Sequence, residues 1–212
     1  MELLFRVSMD ARVSNANKSY LAPQHFSLAS IKSMFYLRAL SIILHSLIKN
    51  KPSSAHSIAR IELRVWMNEA DLTFVNNATY LQYFELGRID LMLRGGFFWP
   101  SIREKLFVPM RGLHIDFRRP LRRFQNFSVT TRILSWDDQN IYVIQGIHSK
   151  GKTIALAFLN SVIKSGRETL PPATLLQRFH WKVEDSAELR SFCQNFRGST
   201  DDYNRIDELL RL

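Results

Sequence analysis

Residues 76–96 constrain the fold of this chain most strongly, because they predict one long helix with apolar side chains on nearly every side. The stretch reads NNATYLQYFELGRIDLMLRGG. Asn76 or Asn77 suits the N-cap, since an asparagine oxygen can accept from an unpaired N–H of the first turn. Gly95 and Gly96 suit the left-handed position that ends a helix. The apolar positions spaced for burial are Tyr80, Leu81, Phe84, Leu86, Ile89, Met92 and Leu93. A helix with this pattern must be enclosed by other elements.

The segment before this helix alternates between apolar and polar residues, which predicts a strand with one buried face. The predicted inward-facing residues are Ile61, Leu63, Val65 and Met67. The polar residues 68–71 then predict a turn leading directly into the helix.

After the helix, the pattern predicts a linker around Pro100 and four strands. Their predicted spans are 106–118, 127–136, 141–148 and 153–164. Short turn sequences separate the last three strands, which predicts a meander. The last strand is almost continuously apolar, as expected of a strand covered on both faces. We therefore predict an α+β fold, in which a five- or six-stranded antiparallel sheet wraps the long central helix, with helical extensions at both ends.

The chain divides into four predicted parts. Residues 1–30 show no regular spacing of apolar residues, which predicts a disordered leader. Residues 31–56 predict an amphipathic helix and a linker. The domain itself covers 57–172, and a charged helical tail covers 173–212. In that tail, Ser199 suits the N-cap of the second of two helical pieces.

The first predicted helix has one apolar and one polar face. Its apolar face comprises Tyr36, Leu37, Leu40, Ile43, Leu44, Leu47 and Ile48. Its polar face includes Arg38 and Ser41. The uncharged run is too short to cross a bilayer, which takes about 20 residues. Two interpretations stay open: residues 36–48 lie on a membrane surface, or they pack on the domain.

Charge and composition narrow the classes of function. The net charge is +10, and residues 1–172 carry 23 basic and 12 acidic side chains, which suits an anionic partner. The single cysteine, Cys193, excludes an internal disulfide framework and suits a reducing compartment, so we expect a cytoplasmic protein, peripheral to a membrane at most. No spacing of the six histidines predicts a metal site. The sequence also lacks a G-x-S-x-G elbow, a P-loop and a dinucleotide fingerprint.

Three segments carry a resemblance to a known family. RVWMNEADLTFVNNATYLQYFELGRIDLMLR resembles the strand–loop–helix signature of hotdog-fold acyl-CoA thioesterases of the 4-hydroxybenzoyl-CoA type. IDFRRPLRRFQNF and RILSWDDQNIYV are similar to the second strand and the third hairpin of the branch that has a hydrophobic helix before the domain. The resemblance covers residues 36–172 and implies hydrolysis of a fatty or aromatic acyl-CoA thioester, with the thioester as substrate and no cofactor.

The resemblance also implies roles for particular residues. Asp71 matches the loop carboxylate that orients water or attacks the carbonyl. The helix start, at Asn76, Asn77 and Ala78, would polarise the thioester oxygen through backbone N–H groups. The loop after Asp71 is one residue shorter than in the family, which leaves Glu69 and Glu85 as alternative acids. Glu85 also has an expected ion-pair partner in Arg88.

A basic cluster with interleaved aromatic residues follows the second predicted strand. It contains Arg118, Arg119, Arg122 and Arg123. Under the thioesterase interpretation these arginines bind coenzyme A, since arginine offers forked donors for phosphate and a flat face for adenine. The same arginines could instead lie at a solvated strand end and bind no ligand. RNA binding is a third, weaker interpretation.

Other functions remain open at this stage. A hotdog protein that binds acyl chains or a membrane without catalysis is the main alternative to a hydrolase. A dehydratase of the same fold ranks last, because it calls for a histidine partner near Asp71. The resemblance further implies a homodimer or a dimer of dimers with joined sheets. Met34 lies where family members begin, so we expect residues 1–33 to be either an over-called start or a dispensable leader.

Overall fold

The computed structural model describes residues 35–44, 59–71, 73–178 and 186–211. The helices are α1 (35–44), α2 (Asn77–Arg94), α3 (Phe98–Arg103), α4 (Pro172–Arg178), α5 (Ala187–Asn195) and α6 (Thr200–Arg211). The strands are β1 (Ala59–Arg64), β2 (Ala70–Asp71), β3 (Phe74–Val75), β4 (Leu106–Phe107), β5 (Met110–Phe117), β6 (Asn126–Trp136), β7 (Asn140–Ser149), β8 (Lys152–Ser165) and β9 (Glu168–Leu170).

The central helix α2 lies where the sequence predicts it. Asn76 is the N-cap, and its side-chain oxygen accepts from the backbone N–H of Thr79 at 3.0 Å. At the other end, the Gly95 N–H donates to Leu91 O. Gly96 takes the left-handed conformation, with φ of 69°. The caps therefore set both ends of the helix, as predicted.

One antiparallel sheet encloses α2. Its long strands lie in the order β1, β6, β7, β8 and β5, and the short β4 and β9 also pair with β8. The predicted meander of β6, β7 and β8 is confirmed by their pairings. The α+β hotdog arrangement expected from the sequence is thus the observed one.

Helix α2 packs closely against the inner face of the sheet. Tyr83 and Phe127 are buried there with ring centroids 4.6 Å apart. Gly87 marks the closest approach, because a Cβ atom at this position would lie 2.5 Å from Thr131 Oγ1. The absence of a side chain at Gly87 lets the helix lie directly on β6.

The outer face of the sheet is covered by α5 and α6. The buried side chains of this second layer include Leu134, Ile144, Leu156, Phe158, Phe196, Ile206 and Leu210. The predicted cap of the last helix is confirmed, since Ser199 Oγ accepts from Asp202 N at 3.1 Å. The sequence predicted helices in the tail but not their place on the sheet, and their packing explains why β8 is buried on both faces.

Residues 68–71 do not form the simple turn into the helix that the sequence predicted. Residues Met67–Glu69 form a 3₁₀ turn, and β2 and β3 then pair as a two-strand hairpin. Because β1 ends at Arg64, the alternation does not continue to Met67, and the Met67 side chain is exposed rather than inward-facing.

Two further predictions after α2 are corrected. The linker around Pro100 is the helix α3, where proline is tolerated because N–H groups of the first turn have no helical acceptor. The predicted strand 106–118 divides into β4 and β5 around Pro109, which has no N–H to give to a strand pairing.

The remaining predictions concern residues outside the described ranges. These are the disordered leader of 1–30, the dispensable segment 1–33 and the part of the first helix beyond residue 44.

Candidate active site

Asp71 lies on the first strand of the hairpin of β2 and β3, which leads into the central helix. The backbone of Asp71 pairs with that of Phe74, and Ala70 pairs with Val75. The N-cap of α2 follows Val75 directly. The structure therefore brings the predicted acid loop and the helix start together at the backbone level.

The arginine-rich segment 119–125 holds this hairpin from the other side. Val75 N donates to Leu121 O at 3.0 Å, and Arg123 N donates to Thr73 O at 3.1 Å. Arg123 Nη2 also donates to Ala70 O at 3.4 Å. The acid loop and the basic segment are consequently one hydrogen-bonded unit.

The first turn of α2 offers backbone donors at its open end. Asn77 and Ala78 lie in this turn and are exposed. Their N–H groups have no acceptor within the helix, and the helix dipole adds positive charge there. The Asn76 side-chain oxygen already accepts from both the N–H and the hydroxyl of Thr79, so this side chain acts as the cap.

Tyr80 connects the helix start to the basic segment. Its hydroxyl accepts from Leu121 N at 2.8 Å and lies 3.4 Å from Arg119 O, to which it donates. Burial raises the pKa of Tyr80, so the hydroxyl keeps its proton for this bond. The prediction of a core tyrosine with a bonded hydroxyl is confirmed.

Glu69 lies in the core, and its hydrogen bonds hold the start of the acid loop in place. The residue is 5% exposed, and its Oε2 accepts from Arg38 Nη2 at 2.8 Å, Trp66 N at 2.8 Å and Tyr83 Oη at 3.0 Å. Burial and the nearby Glu69 charge raise the pKa of Tyr83 well above its usual range. Three donors on one buried oxygen fix the start of the acid loop to α1 and α2.

Glu85 lies farther along α2 and pairs with Arg88, as predicted. At 1.5 Å per residue, Glu85 is about 12 Å along the helix axis from Asn77. Arg88 Nη1 also donates to Gln145 Oε1 at 3.2 Å. The structure thus groups Asp71 with the helix start and leaves Glu85 at a separate position.

A groove of about 1190 Å³ lies beside the acid loop and is strongly basic. Its cationic lining residues are Arg60, Arg119, Arg122, Arg123, Lys150, Lys152 and Arg211, and Glu62 also lines it. The Arg123 Nε is buried and has no hydrogen-bond partner among the described residues. A groove with this charge and an unused buried donor suits a ligand with several negative charges.

Three of the four arginines predicted from the sequence to bind coenzyme A line this groove. Arg118 is not among its lining residues. The Arg118 side chain pairs with Asp116 at 2.8 Å and lies 3.5 Å from Asp207 on α6, so it joins the tail helix to the sheet.

Sequence reasoning missed the other cations of the groove. They are Arg60 from β1, Lys150 from the turn between β7 and β8, Lys152 from the start of β8, and Arg211 from α6. These four residues do not form a cluster in the sequence, because only the pairing of the strands and the docking of α6 bring them together. A positive charge surplus spread over residues 1–172 was the available signal.

Within the described ranges, no group of three or more His, Cys, Asp or Glu residues is arranged to hold a metal ion. Nor does any helix in these ranges combine the length and hydropathy needed to cross a bilayer.

The fold, the hairpin and the helix start define this chain as a hotdog protein. The family profile described as the thioesterase-like superfamily matches residues 65–179, which is more than half of the chain. The chain therefore belongs to the thioesterase-like superfamily, as the resemblance implied.

Curated relatives match a similar region. A probable thioesterase of Saccharomyces cerevisiae, YBR096W, is 29% identical over 120 residues, which cover 51% of this chain and 49% of the relative. Protein THEM6 of Xenopus laevis is 30% identical over 124 residues, covering 57% and 58% respectively. The chain thus spans about half the length of the curated relatives it matches.

Among solved structures, a thioesterase from Thermus thermophilus in complex with coenzyme A and Zn superposes with a TM-score of 0.50. It is 23% identical, and the match covers 58% of this chain and 98% of that one. At this identity the likeness shows a shared fold.

Proposed function

We propose that this protein hydrolyses acyl thioesters of coenzyme A. One observation carries the proposal: the segment 119–123 joins the Asp71 hairpin, the start of α2 and the basic groove into a single hydrogen-bonded unit. Membership of the thioesterase-like superfamily supports it. The yeast relative named a probable thioesterase and the coenzyme A complex of the Thermus protein support it further.

In the proposed reaction, the Asp71 carboxylate orients a water molecule and accepts its proton as the water attacks the thioester carbonyl. The oxyanion forms beside the N–H groups of Asn77 and Ala78, where the helix dipole stabilises negative charge. The C–S bond then breaks, so that one thioester and one water give a carboxylic acid and the free thiol. The acyl group is fatty or aromatic.

The groove supplies the site for the coenzyme. Arg119, Arg122 and Arg123 line one part of it, and Lys150 and Lys152 line another. Forked guanidinium donors suit phosphate oxygens, and Arg123 Nε is a buried donor that a phosphate would satisfy. Glu69 acts as the anchor of the loop rather than as the acid.

Thiol release from an acyl-CoA panel tests the proposal. Asp71→Asn should lower kcat about 10²- to 10⁴-fold, the range of a lost general base. Glu85→Gln should retain most activity, because Glu85 lies about 12 Å along the helix. Absence of thiol release above background by the wild-type protein, or full activity of Asp71→Asn, would overturn the proposal. Equal losses in both variants would contradict the assignment of Asp71.

The proposed assembly is a homodimer with joined sheets. Strand β5 pairs with β8 on one side, and no other described strand pairs with it. A free antiparallel edge of this length suits pairing with a second copy. Sedimentation at a mass of twice 24.8 kDa or more is expected, and a monomer at micromolar concentration would contradict it.

A second proposal concerns α1, which packs on the domain through Arg38, Ala39 and the partly buried Phe35 and Ile42. Arg38 is 8% exposed and bonded to Glu69, whereas Leu37 is 60% exposed and Leu40 and Leu44 are also exposed. An outward leucine face suits the boundary of a lipid bilayer. We propose peripheral membrane binding through residues 36–48.

Liposome flotation tests this second proposal. The triple variant Leu37→Glu, Leu40→Glu and Leu44→Glu should lose binding, because glutamate resists entry into the acyl region. Leu81→Glu, which changes an exposed leucine on α2, serves as the matched control and should bind as the wild type does. Unchanged flotation of the triple variant would refute membrane binding by this face.

A further inference from the structure

A second cavity lies between the C-terminal half of α2 and the sheet, away from the acid loop. Its volume is about 100 Å³. Nine of its lining side chains are apolar: Leu91, Met92, Phe97, Val108, Ile133, Ile141, Val143, Ile163 and Leu175. A cavity of about 150 Å³ holds benzene, so the enclosed part of this smaller cavity holds a few carbon atoms.

Three polar residues complete the lining of this cavity: Ser161, the cation Arg88 and the carboxylate Glu85. The Arg88 and Glu85 side chains are 20% and 44% exposed. Burial lowers the pKa of Arg88 to about 10, so the guanidinium is still charged at neutral pH. The cavity thus has an apolar body and one largely buried positive group.

The Arg88 guanidinium is held in place from beneath by Gln145. Gln145 Nε2 donates to Phe84 O at 2.8 Å and to Thr131 Oγ1 at 2.9 Å. These two bonds fix the side-chain amide so that its oxygen accepts from Arg88 Nη1 at 3.2 Å. The buried partner of Arg88 is therefore neutral, and its anionic partner, Glu85, is the more exposed member of the pair.

We propose that this cavity binds a monocarboxylic acid. The apolar part of the acid occupies the cavity, and its carboxylate replaces that of Glu85 on Arg88. Glu85 is exposed enough to turn toward solvent, whereas Arg88 and Gln145 stay fixed. A carboxylate suits the site better than an alcohol, because a guanidinium binds carboxylate oxygens through paired, charge-assisted hydrogen bonds.

This site is distinct from the proposed hydrolytic centre. Arg88 lies about 15 Å along the helix axis from Ala78. A carboxylic acid is also the class of product that thioester hydrolysis releases, so product retention at this cavity rests on the proposed function. Binding of the acid itself does not depend on hydrolysis.

Isothermal titration calorimetry of the full chain with hexanoate, hexanol and hexylamine tests the proposal. Hexanoate should bind at least tenfold more tightly than hexanol, and hexylamine should not bind. Arg88→Met should weaken hexanoate binding at least tenfold. Glu85→Gln should tighten it, because the competing carboxylate is removed.

Arg94→Met is the matched control, since Arg94 pairs with Asp90 on the same helix but does not line the cavity. This variant should bind hexanoate as the wild type does. Leu175→Trp fills the cavity from α4 without changing Arg88 and should also abolish binding, which keeps the test valid if Arg88→Met fails to fold.

Three outcomes would overturn the inference: no preference for hexanoate over hexanol, unchanged binding in both Arg88→Met and Leu175→Trp, or weaker binding in Glu85→Gln. Because no thioester is present in this titration, its result is separate from that of the thiol-release assay. A protein that binds hexanoate and releases no thiol supports the cavity and refutes the hydrolase.

Discussion

At the scale of single residues, environment separates two carboxylates that look alike in the sequence. Glu69 is buried and accepts from Arg38, Trp66 and Tyr83, and Glu85 pairs with Arg88. The pair of Glu85 and Arg88 was predictable, because residues i and i+3 are neighbours on a helix. The partner of Glu69 was not, since Arg38 is 31 positions away and reaches it only through the docking of α1.

The buried pair of Arg38 and Glu69 gives a prediction about stability. Arg38→Met should lower the free energy of unfolding by about 3–5 kcal/mol, because it leaves the Glu69 charge buried without its cation. Urea denaturation measures this. Arg60→Met removes the cation of an exposed pair with Glu62 and should cost at most about 1 kcal/mol. Similar losses in the two variants would contradict the structural role of Glu69.

At the scale of secondary-structure elements, periodicity and caps predicted α2 and the β6–β8 meander, but local signals failed at the short elements. The hairpin of β2 and β3 has two residues per strand, too few to show alternation. Its geometry comes from contacts with residues 119–125, which the local sequence does not contain. The acid loop therefore had to be located by resemblance, while the helix beside it followed from the residues.

The close approach of α2 to the sheet predicts the effect of Gly87→Ala. Helix propensity alone would stabilise the protein by up to about 1 kcal/mol. The added Cβ would lie 2.5 Å from Thr131 Oγ1, so overpacking should instead destabilise the protein by about 1–3 kcal/mol. The sign of the change in thermal or urea unfolding decides between the two, and a stabilised variant would contradict the described packing.

The docking of α6 should depend on pH. Burial lowers the pKa of His148. Burial would raise the pKa of Asp207, but hydrogen bonds from Arg211 and Thr153 outweigh it and lower that pKa. Both groups therefore bind protons less readily when folded, so their stabilisation is lost as the pH falls. The contribution of His148 is lost below pH 6.5, and that of Asp207 is lost only below pH 3.8, these being the ordinary pKa values of the two groups.

Hydrogen exchange of the α6 amides should consequently quicken as the pH falls below 6.5, after correction for the intrinsic exchange rate. His148→Gln should remove the part of this dependence that lies between about pH 7 and 5, because it removes the titrating group. An α6 whose protection is independent of pH from about 7 to 4 would refute the prediction.

At the scale of the whole molecule, two layers of helix on opposite faces of one sheet create the candidate site. Helix α2 presents its positive end beside the acid loop, and the docked α6 adds Arg211 to the basic groove. The sequence predicted the class of fold, the helix start and three of the arginines. The remaining cations depend on strand register and on the docking of the tail, which no short stretch of residues encodes.

We propose that the Asp71 loop and the basic groove form one site. Steady-state kinetics on two substrates with the same acyl group, a coenzyme A thioester and an N-acetylcysteamine thioester, would separate the contributions of the two parts. We predict that Lys150→Met with Lys152→Met, which changes two groove cations away from the hairpin, raises KM at least tenfold for the coenzyme A substrate and leaves the short thioester unchanged. Asp71→Asn should lower kcat for both substrates. Equal effects of the lysine variant on the two substrates, or no hydrolysis of either by the wild-type protein, would contradict the proposal.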